Sequence, residues 1–396
     1  MFTDYFYPEL GGIQDSIATI SKSLARRGHF VDIYAPHYAP RDYRRIGAAV
    51  RERDLGATVR VRRRPSLPFP SSTQQSRVAL PSPIGWAGLA GRARPDVIHS
   101  HSFFGIGLEA LLNGAWLGIP VIGTNHTTIA GFAPHLPVRV DRAAAYVMWY
   151  YNRCDHVTAP SRSVFEELDQ ARLRRPHAVV SNPIDTELFV PLRDDERDAL
   201  RAHFGLTGPT ITYAGRLGPE KNIEILLHAI AALRDHGVVA ELAIAGHGSH
   251  EPILRARAAA LRIDQQVRFL GTLAQDELAR LLRISDTFAI MSTSETQSMV
   301  LLQAMASGVP VVAADTRALP EFVGPHNGFL VDPHDAARLA QALGDLLASP
   351  ERRRRLGAGG RQIAESHGTE RITDTWETLY HSVGNRQSLR NGRSAA

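Results

Sequence analysis

The chain has 396 residues, 44% apolar and 21% charged, with a formal charge of +5, a globular composition long enough for two domains that excludes a disordered chain or a small disulfide-stapled fold. Its one cysteine, Cys154, makes neither an intramolecular disulfide nor a thiolate metal cluster, so the composition fits a reducing compartment and a cytoplasmic location. The charge is uneven: Arg and Lys number 22 against 14 Asp and Glu up to position 180, then 23 against 26, and only Lys22 and Lys221 among the 45 cations are lysines. No run of about 18 apolar residues occurs, and MFTDYFYPELGG carries acid and proline where a signal peptide needs a basic and then an apolar stretch. Its first six residues read as the tail of a strand, which predicts that a few strand residues precede them.

From Gly12 to Gly28, Ile13, Ile17, Ile20 and Leu24 recur at helical spacing and a glycine closes the run. FVDIYAP reads as a buried strand, and residues 60–85, with RVRRRP and a Pro/Ser-rich stretch, as a long loop. DVIHSHS, a helix to about Leu117, PVIGTNHT, a helix near 139–152 and HVTAPS continue the alternation. After a linker at Asn182–Asp185 a second series follows: TITYAGR, ELAIAG, VRFLGT, DTFAIMS, PVVAAD and GFLVDP, with helices such as 222–235, 275–284 and 299–307. Strands alternating with helices imply parallel sheets covered on both faces. The expected domains are 1–182 and 183–367, with a helix at 368–384 returning to the first domain and a disordered tail at 385–396. Two such domains predict a cleft, with ligands at the C-terminal strand ends.

TYAGRLGPEKN sets Arg216 and Lys221 on a short strand-to-helix loop, two cations beside outward-pointing amides, an arrangement suited to phosphate. In STSETQSMVLLQAMASG, Glu295 follows a strand, Ser298, Met299 and Val300 open a helix, and Gln303 falls eight residues after Glu295. These helix amides suit a second phosphate, and Glu295 and Gln303 suit sugar hydroxyls. Gly11 and Gly12 precede the first helix and permit close backbone approach to a ligand. His126 ends a strand, while His99 and His101 read as packed or hydrogen-bonded histidines. Gly246 opens a G-x-G in GHGSH, without the third glycine of a dinucleotide fingerprint. Neither a zinc spacing nor a D-x-D motif is present, so no metal and no cofactor is expected. RVRRR and the aromatic run at 149–151 read either as a basic, aromatic surface for anionic lipid or as a solvated loop and a buried helix face. No nucleic-acid partner is indicated.

In this order GGIQ, His126, NPID, GRLGPEKN, ETQSMVLLQAMASGVPVV, LPEFV and NGFLVDP resemble the retaining GT-B glycosyltransferases of family 4, over nearly the whole chain. The resemblance implies an α/β fold of two facing Rossmann-like, doubly wound parallel-sheet domains. It implies a nucleotide-sugar donor held mainly by the second domain and an acceptor on the first. Arg216 and Lys221 would bind the donor diphosphate, Glu295 and His126 the donor sugar, and Gly12 and the amides near Ser298–Val300 the phosphates. Where the family has a second acid for the ribose this chain has Gln303, and its Phe-Gly is Gln297-Ser298. The implied reaction is retaining transfer of a hexose from a UDP- or GDP-linked donor to a glycolipid, envelope polysaccharide or small-molecule acceptor. The basic first domain allows a peripheral contact with the inner face of the membrane. A nucleotide-sugar-binding pseudoenzyme and a sugar-nucleotide epimerase are the alternatives.

Overall fold

The computed structural model describes residues 1–44, 46, 49–68, 77–79, 94–128, 139–192 and 197–394, with side chains as far as residue 385. Parts of the expected loop at 60–85 and the end of the expected tail lie outside the described residues. By its internal contacts the chain divides into two compact units, Met1–Pro183 with Thr369–Ala396, and Ile184–Gly368.

The first unit begins with α1 (Gly12–Arg26), β1 (Val31–Pro36), α2 (Pro40–Arg44), β2 (Val59–Arg64), β3 (Ser66–Pro68), β4 (Arg77–Ala79) and β5 (Ile98–Ser100). It continues with α3 (Gly105–Leu117), β6 (Val121–Thr124), α4 (Val140–Tyr151), β7 (His156–Ala159), α5 (Arg162–Gln170) and β8 (His177–Val179). The α1 stripe is real: Ile17, Ile20 and Leu24 are buried, and the chain leaves the helix through Gly28 at φ 90°. The N-terminal segment does act as a strand, because Phe2 bridges Tyr34 of β1 on one side and Ser100 of β5 on the other. Its backbone bonds Phe2 N–H to His99 O and His101 N–H to Phe2 O, both at 2.8 Å, complete the seam. The parallel order is therefore β2-β1-Phe2-β5-β6-β7-β8.

The expectation of a long loop over 60–85 is corrected. β2 pairs with β1 over six residues, Val31 opposite Val59 through Pro36 opposite Arg64, and β3 pairs antiparallel with β4. The arginines hid this strand, and carboxylates neutralise them: Arg62 lies 3.3 Å from Asp32, Arg63 2.7 Å from Glu52, and Arg64 2.7 Å from the buried Glu109. An open basic surface at RVRRR is thus replaced by ion pairs, three of its four arginines being matched. In the aromatic run Tyr150 and Tyr151 are buried, and Trp149 is exposed beneath the Arg153 guanidinium.

The second unit contains α6 (Arg197–His203), β9 (Thr210–Ala214), α7 (Glu224–Asp235), β10 (Glu241–Ala245), α8 (Glu251–Ala260), β11 (Val267–Gly271) and α9 (Gln275–Ile284). It closes with β12 (Thr287–Ile290), α10 (Met299–Ala306), β13 (Val311–Ala314), β14 (Gly328–Val331), α11 (Ala336–Ala348) and α12 (Pro350–Ser366). Every residue of β9, β10, β12 and β13 is buried, as a parallel sheet covered on both faces requires. The order β11-β10-β9-β12-β13-β14 is that of a dinucleotide-binding sheet, with its direction reversing between β9 and β12. The helix expected to begin near Asn222 begins at Glu224, after a 3-10 turn at Pro219–Lys221 that Asn222 ends at φ 51°.

The last helix, α13 (Thr369–Ser394), belongs to the first unit, where Ile372, Trp376 and Val383 enter a core with Ile17, Ile33 and Ile122. It is helical through Ser394, ten residues past the expected end of the returning helix at 384. Arg27, directly after α1, binds Glu370, Asp374 and Glu377 of this helix at 2.5–2.6 Å.

Candidate functional site

In the second unit the loops after β9 and β12 leave neighbouring strands at the point where the strand order reverses, the place where open α/β sheets bind ligands. They are bonded together, Thr293 N–H donating to Glu220 O at 3.1 Å. The Lys221 Nζ meets Glu295 Oε1 at 2.6 Å, joining side chains 74 positions apart that are only 17% and 12% exposed. Burial would raise the Glu295 pKa, but the Lys221 charge and hydrogen bond, the Ser292 hydroxyl and the Arg216 charge outweigh it and hold the carboxyl below its usual range. Arg216 is more exposed and pairs with Glu220. The two cations read from the sequence as free for an anion are thus each matched by a carboxylate. A lysine has three donors, so one bond to Glu295 leaves two N–H groups, and an exposed Arg–Glu pair is cheap to exchange.

Backbone fit fixes this loop. A Cβ on Gly246 would lie 1.9 Å from Gly215 O, and one on Gly248 2.2 Å from Leu217 O. Gly246 at φ 141° and Gly215 at φ 145° also occupy backbone space that favours glycine. Gly246 therefore lets the loop after β10 press against the one carrying Arg216.

Ser298 caps α10, its Oγ accepting from Leu301 N–H at 3.4 Å, and Met299 and Val300 form the first turn, whose amides lack helical partners. Ser298 has φ 69°, a conformation glycine adopts freely, so the Gly-to-Ser departure from the family pattern falls on a left-handed position. Gln303 lies on α10, 6% exposed, its Nε2 donating to Gln275 Oε1 at 3.0 Å.

In the first unit Gly11 and Gly12 are exposed at the start of α1. His126, two residues beyond β6, is buried, which lowers its pKa to about 4 and keeps it neutral. Its Nε2 lies 3.1 Å from His101 Nδ1, and the His101 ring lies against that of His99, centroids 3.9 Å apart and tilted by 35°. His99 bonds Thr124 Oγ1 at 2.6 Å and the Tyr380 hydroxyl of α13 at 2.8 Å, in agreement with the packed, hydrogen-bonded reading. Asp4 Oδ1 accepts from Ile106 N–H at 2.9 Å, in the first turn of α3.

The structure thus joins Lys221 to Glu295 and places Arg216 on the same loop, Ser298 to Gln303 on the next helix, and His126, Gly11 and Gly12 in the other unit. Sequence reasoning missed Glu220, Gln275, Asp4 and the tie between His101 and His126. Only Glu220, four residues after Arg216, left a local signal. Among the described residues no group of three His, Cys, Asp or Glu side chains is arranged to hold a metal, and no helix is long and apolar enough to cross a membrane.

Two family models cover most of the chain: Glycosyltransferase Family 4 over residues 10–188 and Glycosyl transferases group 1 over 196–363. A GDP-mannose-dependent alpha-mannosyltransferase of Mycolicibacterium smegmatis is 32% identical over 393 residues, 97% of each chain. An alpha-monoglucosyldiacylglycerol synthase of Streptococcus pneumoniae is 28% identical over 79% of this chain and 70% of its own. In fold, the Anabaena Alr3699/HepE structure in complex with UDP superposes with a TM-score of 0.76 at 19% identity, over 96% of this chain and 100% of that one.

Proposed function

Because the chain belongs to family 4 of the glycosyltransferases, with two Rossmann-like parallel-sheet units of the GT-B kind, we propose that it transfers a hexose from a nucleoside diphosphate sugar with retention at the anomeric carbon. One observation carries the reading: Lys221 and Glu295 meet where the strand order of the second unit reverses, opposed charges held against burial on two loops. In this reading the donor diphosphate takes the two spare N–H groups of Lys221, the Arg216 guanidinium as it leaves Glu220, and the first-turn amides at Ser298, Met299 and Val300. Glu295, kept ionised, accepts from sugar hydroxyls, and Gln303 offers the ribose a neutral partner. The bond from the anomeric carbon to the diphosphate oxygen breaks, and its electron pair leaves with the diphosphate. A new bond forms on the same face to the acceptor hydroxyl, whose proton passes to the departing oxygen. Fixed cations and amides lower this barrier because they oppose charge that develops in the transition state.

A GDP-linked hexose is the first donor to test, since the mannosyltransferase relative uses GDP-mannose by name. A lipid-linked acceptor, met peripherally at the inner face of the membrane, suits the diacylglycerol-glycosylating relative. The reaction is expected to need no metal, so activity persists in EDTA.

The test is a melting-temperature panel with UDP, GDP and their sugars, followed by assay of nucleoside diphosphate release and product analysis. A ligand at a hundred times its Kd stabilises by about 2.7 kcal/mol, a readily measured shift. Stabilisation by one nucleotide series and sugar transfer to an acceptor are expected. A silent panel overturns the reading, and a new sugar nucleotide in place of released diphosphate identifies an epimerase.

A further inference from the structure

We propose that His101 is a positioning residue for His126, donating its Nδ1–H to His126 Nε2 and so fixing the His126 ring as its Nδ1–H tautomer. The two nitrogens are 3.1 Å apart and the rings nearly parallel, at 19°. Two neutral imidazoles sharing one hydrogen bond need one protonated and one bare nitrogen, and the opposite end of His101 decides which. Its Nε2 is buried with no hydrogen-bond partner. If His101 accepted, its proton would sit on that Nε2 as an orphaned buried donor. If it donates, Nε2 keeps only an unused lone pair, and buried orphan donors are the rarer fault.

The His101 ring is held for this task. It packs at a 35° tilt against His99, which is itself held by hydrogen bonds to Thr124 and Tyr380 and rests against Trp376 with centroids 4.5 Å apart. A wall from α13 thus backs the imidazole that touches His126. With Nε2 occupied, the exchangeable proton of His126 sits on Nδ1, and the ring is not available as a base through Nε2. The consequence for transfer rests on the reading that His126 meets the donor sugar; the tautomer itself does not.

The test uses full-length protein with nitrogen-15 in its histidine rings, the His126 signals being assigned by their loss in His126→Ala. In the unsubstituted protein His126 Nε2 is expected in the range of an unprotonated, hydrogen-bonded ring nitrogen. In His101→Leu, which keeps the bulk and removes the donor, that signal moves and kcat falls by up to about a hundredfold, the size of a lost placement, with the donor KM little changed. His101→Asn supplies an N–H near the former Nδ1 and restores both. A protonated Nε2 in the unsubstituted protein, or a signal unmoved in folded His101→Leu, overturns the proposal. Full transfer by His126→Ala overturns the sugar contact instead, while the ring signals still judge the pairing.

Discussion

Lys221 is one of two lysines in the chain, and its ammonium holds Glu295 charged against a burial that would otherwise protonate it. Lys221→Ala would strand that carboxylate, at a cost of about 3 kcal/mol, the low end for breaking a buried pair. The double variant Lys221→Gln with Glu295→Gln replaces the pair by a neutral hydrogen bond. Urea melts should therefore show the double variant closer to the parent in stability than Lys221→Ala, while both lose nucleotide release. Equal stability of all three would remove the pair from the account. The histidines give the acid side of the stability curve. His99, His101 and His126 are all pushed down by burial, so folding keeps them neutral where the unfolded chain binds protons. Their contribution is complete above about pH 6.5 and is lost as the pH falls toward the folded values, on the order of 3 kcal/mol for His126 between about 6.5 and 4. The melting temperature is expected to decline over that window, with a shallower slope in His101→Leu.

At the scale of elements, Ser298 combines two opposed effects. Its φ of 69° carries strain a glycine avoids, and its hydroxyl caps α10. Ser298→Ala keeps the strain and loses the cap, for a loss of about 1 kcal/mol. Ser298→Gly loses the cap and relieves the strain, and should lie near the parent. Thermal melts of the two variants check the order. The strands and helices themselves were legible wherever burial imposes a pattern: α9 and the fully buried strands of the second sheet follow their apolar runs closely. β2 was not, because this half-exposed strand ends in three consecutive arginines whose charges are met by Asp32, Glu52 and Glu109, none of them an adjacent residue in the chain. The candidate site follows the same rule. The glycines and cations of GRLGPEKN stand together in sequence, whereas the Lys221–Glu295 bond spans 74 positions and Gln303–Gln275 spans 28. The charge of Arg216 and Lys221 was readable, but its neutralisation was not.

For the molecule as a whole, the first unit is made of two separate stretches of chain and the second of one. The core of the second lies within Ile184–Gly368, running from Ile184 to Ala364. That of the first needs Ile372, Trp376 and Val383 from α13. A fragment of residues 184–368 is therefore expected to fold alone with a cooperative melt, and a fragment of residues 1–183 to be unstable. Each large apolar side chain lost from the core forfeits about 1.5–3 kcal/mol. Circular dichroism of the two fragments decides the matter, and a stable 1–183 fragment would refute the assignment of α13 as structural to that unit.

The second unit also starts and finishes in one place. Ile184 bridges Gly368, and its N–H donates to His367 O at 2.9 Å. A chain whose entry and exit are stitched together behaves as an insertion: it can be cut out, and its ends can be rejoined elsewhere, with little loop-closure entropy at stake. Fusing residue 183 to residue 369 through a few glycines should give a free-standing first unit. Linking 368 back to 184 should yield circular permutants of the second that begin at an exposed turn such as Gly237.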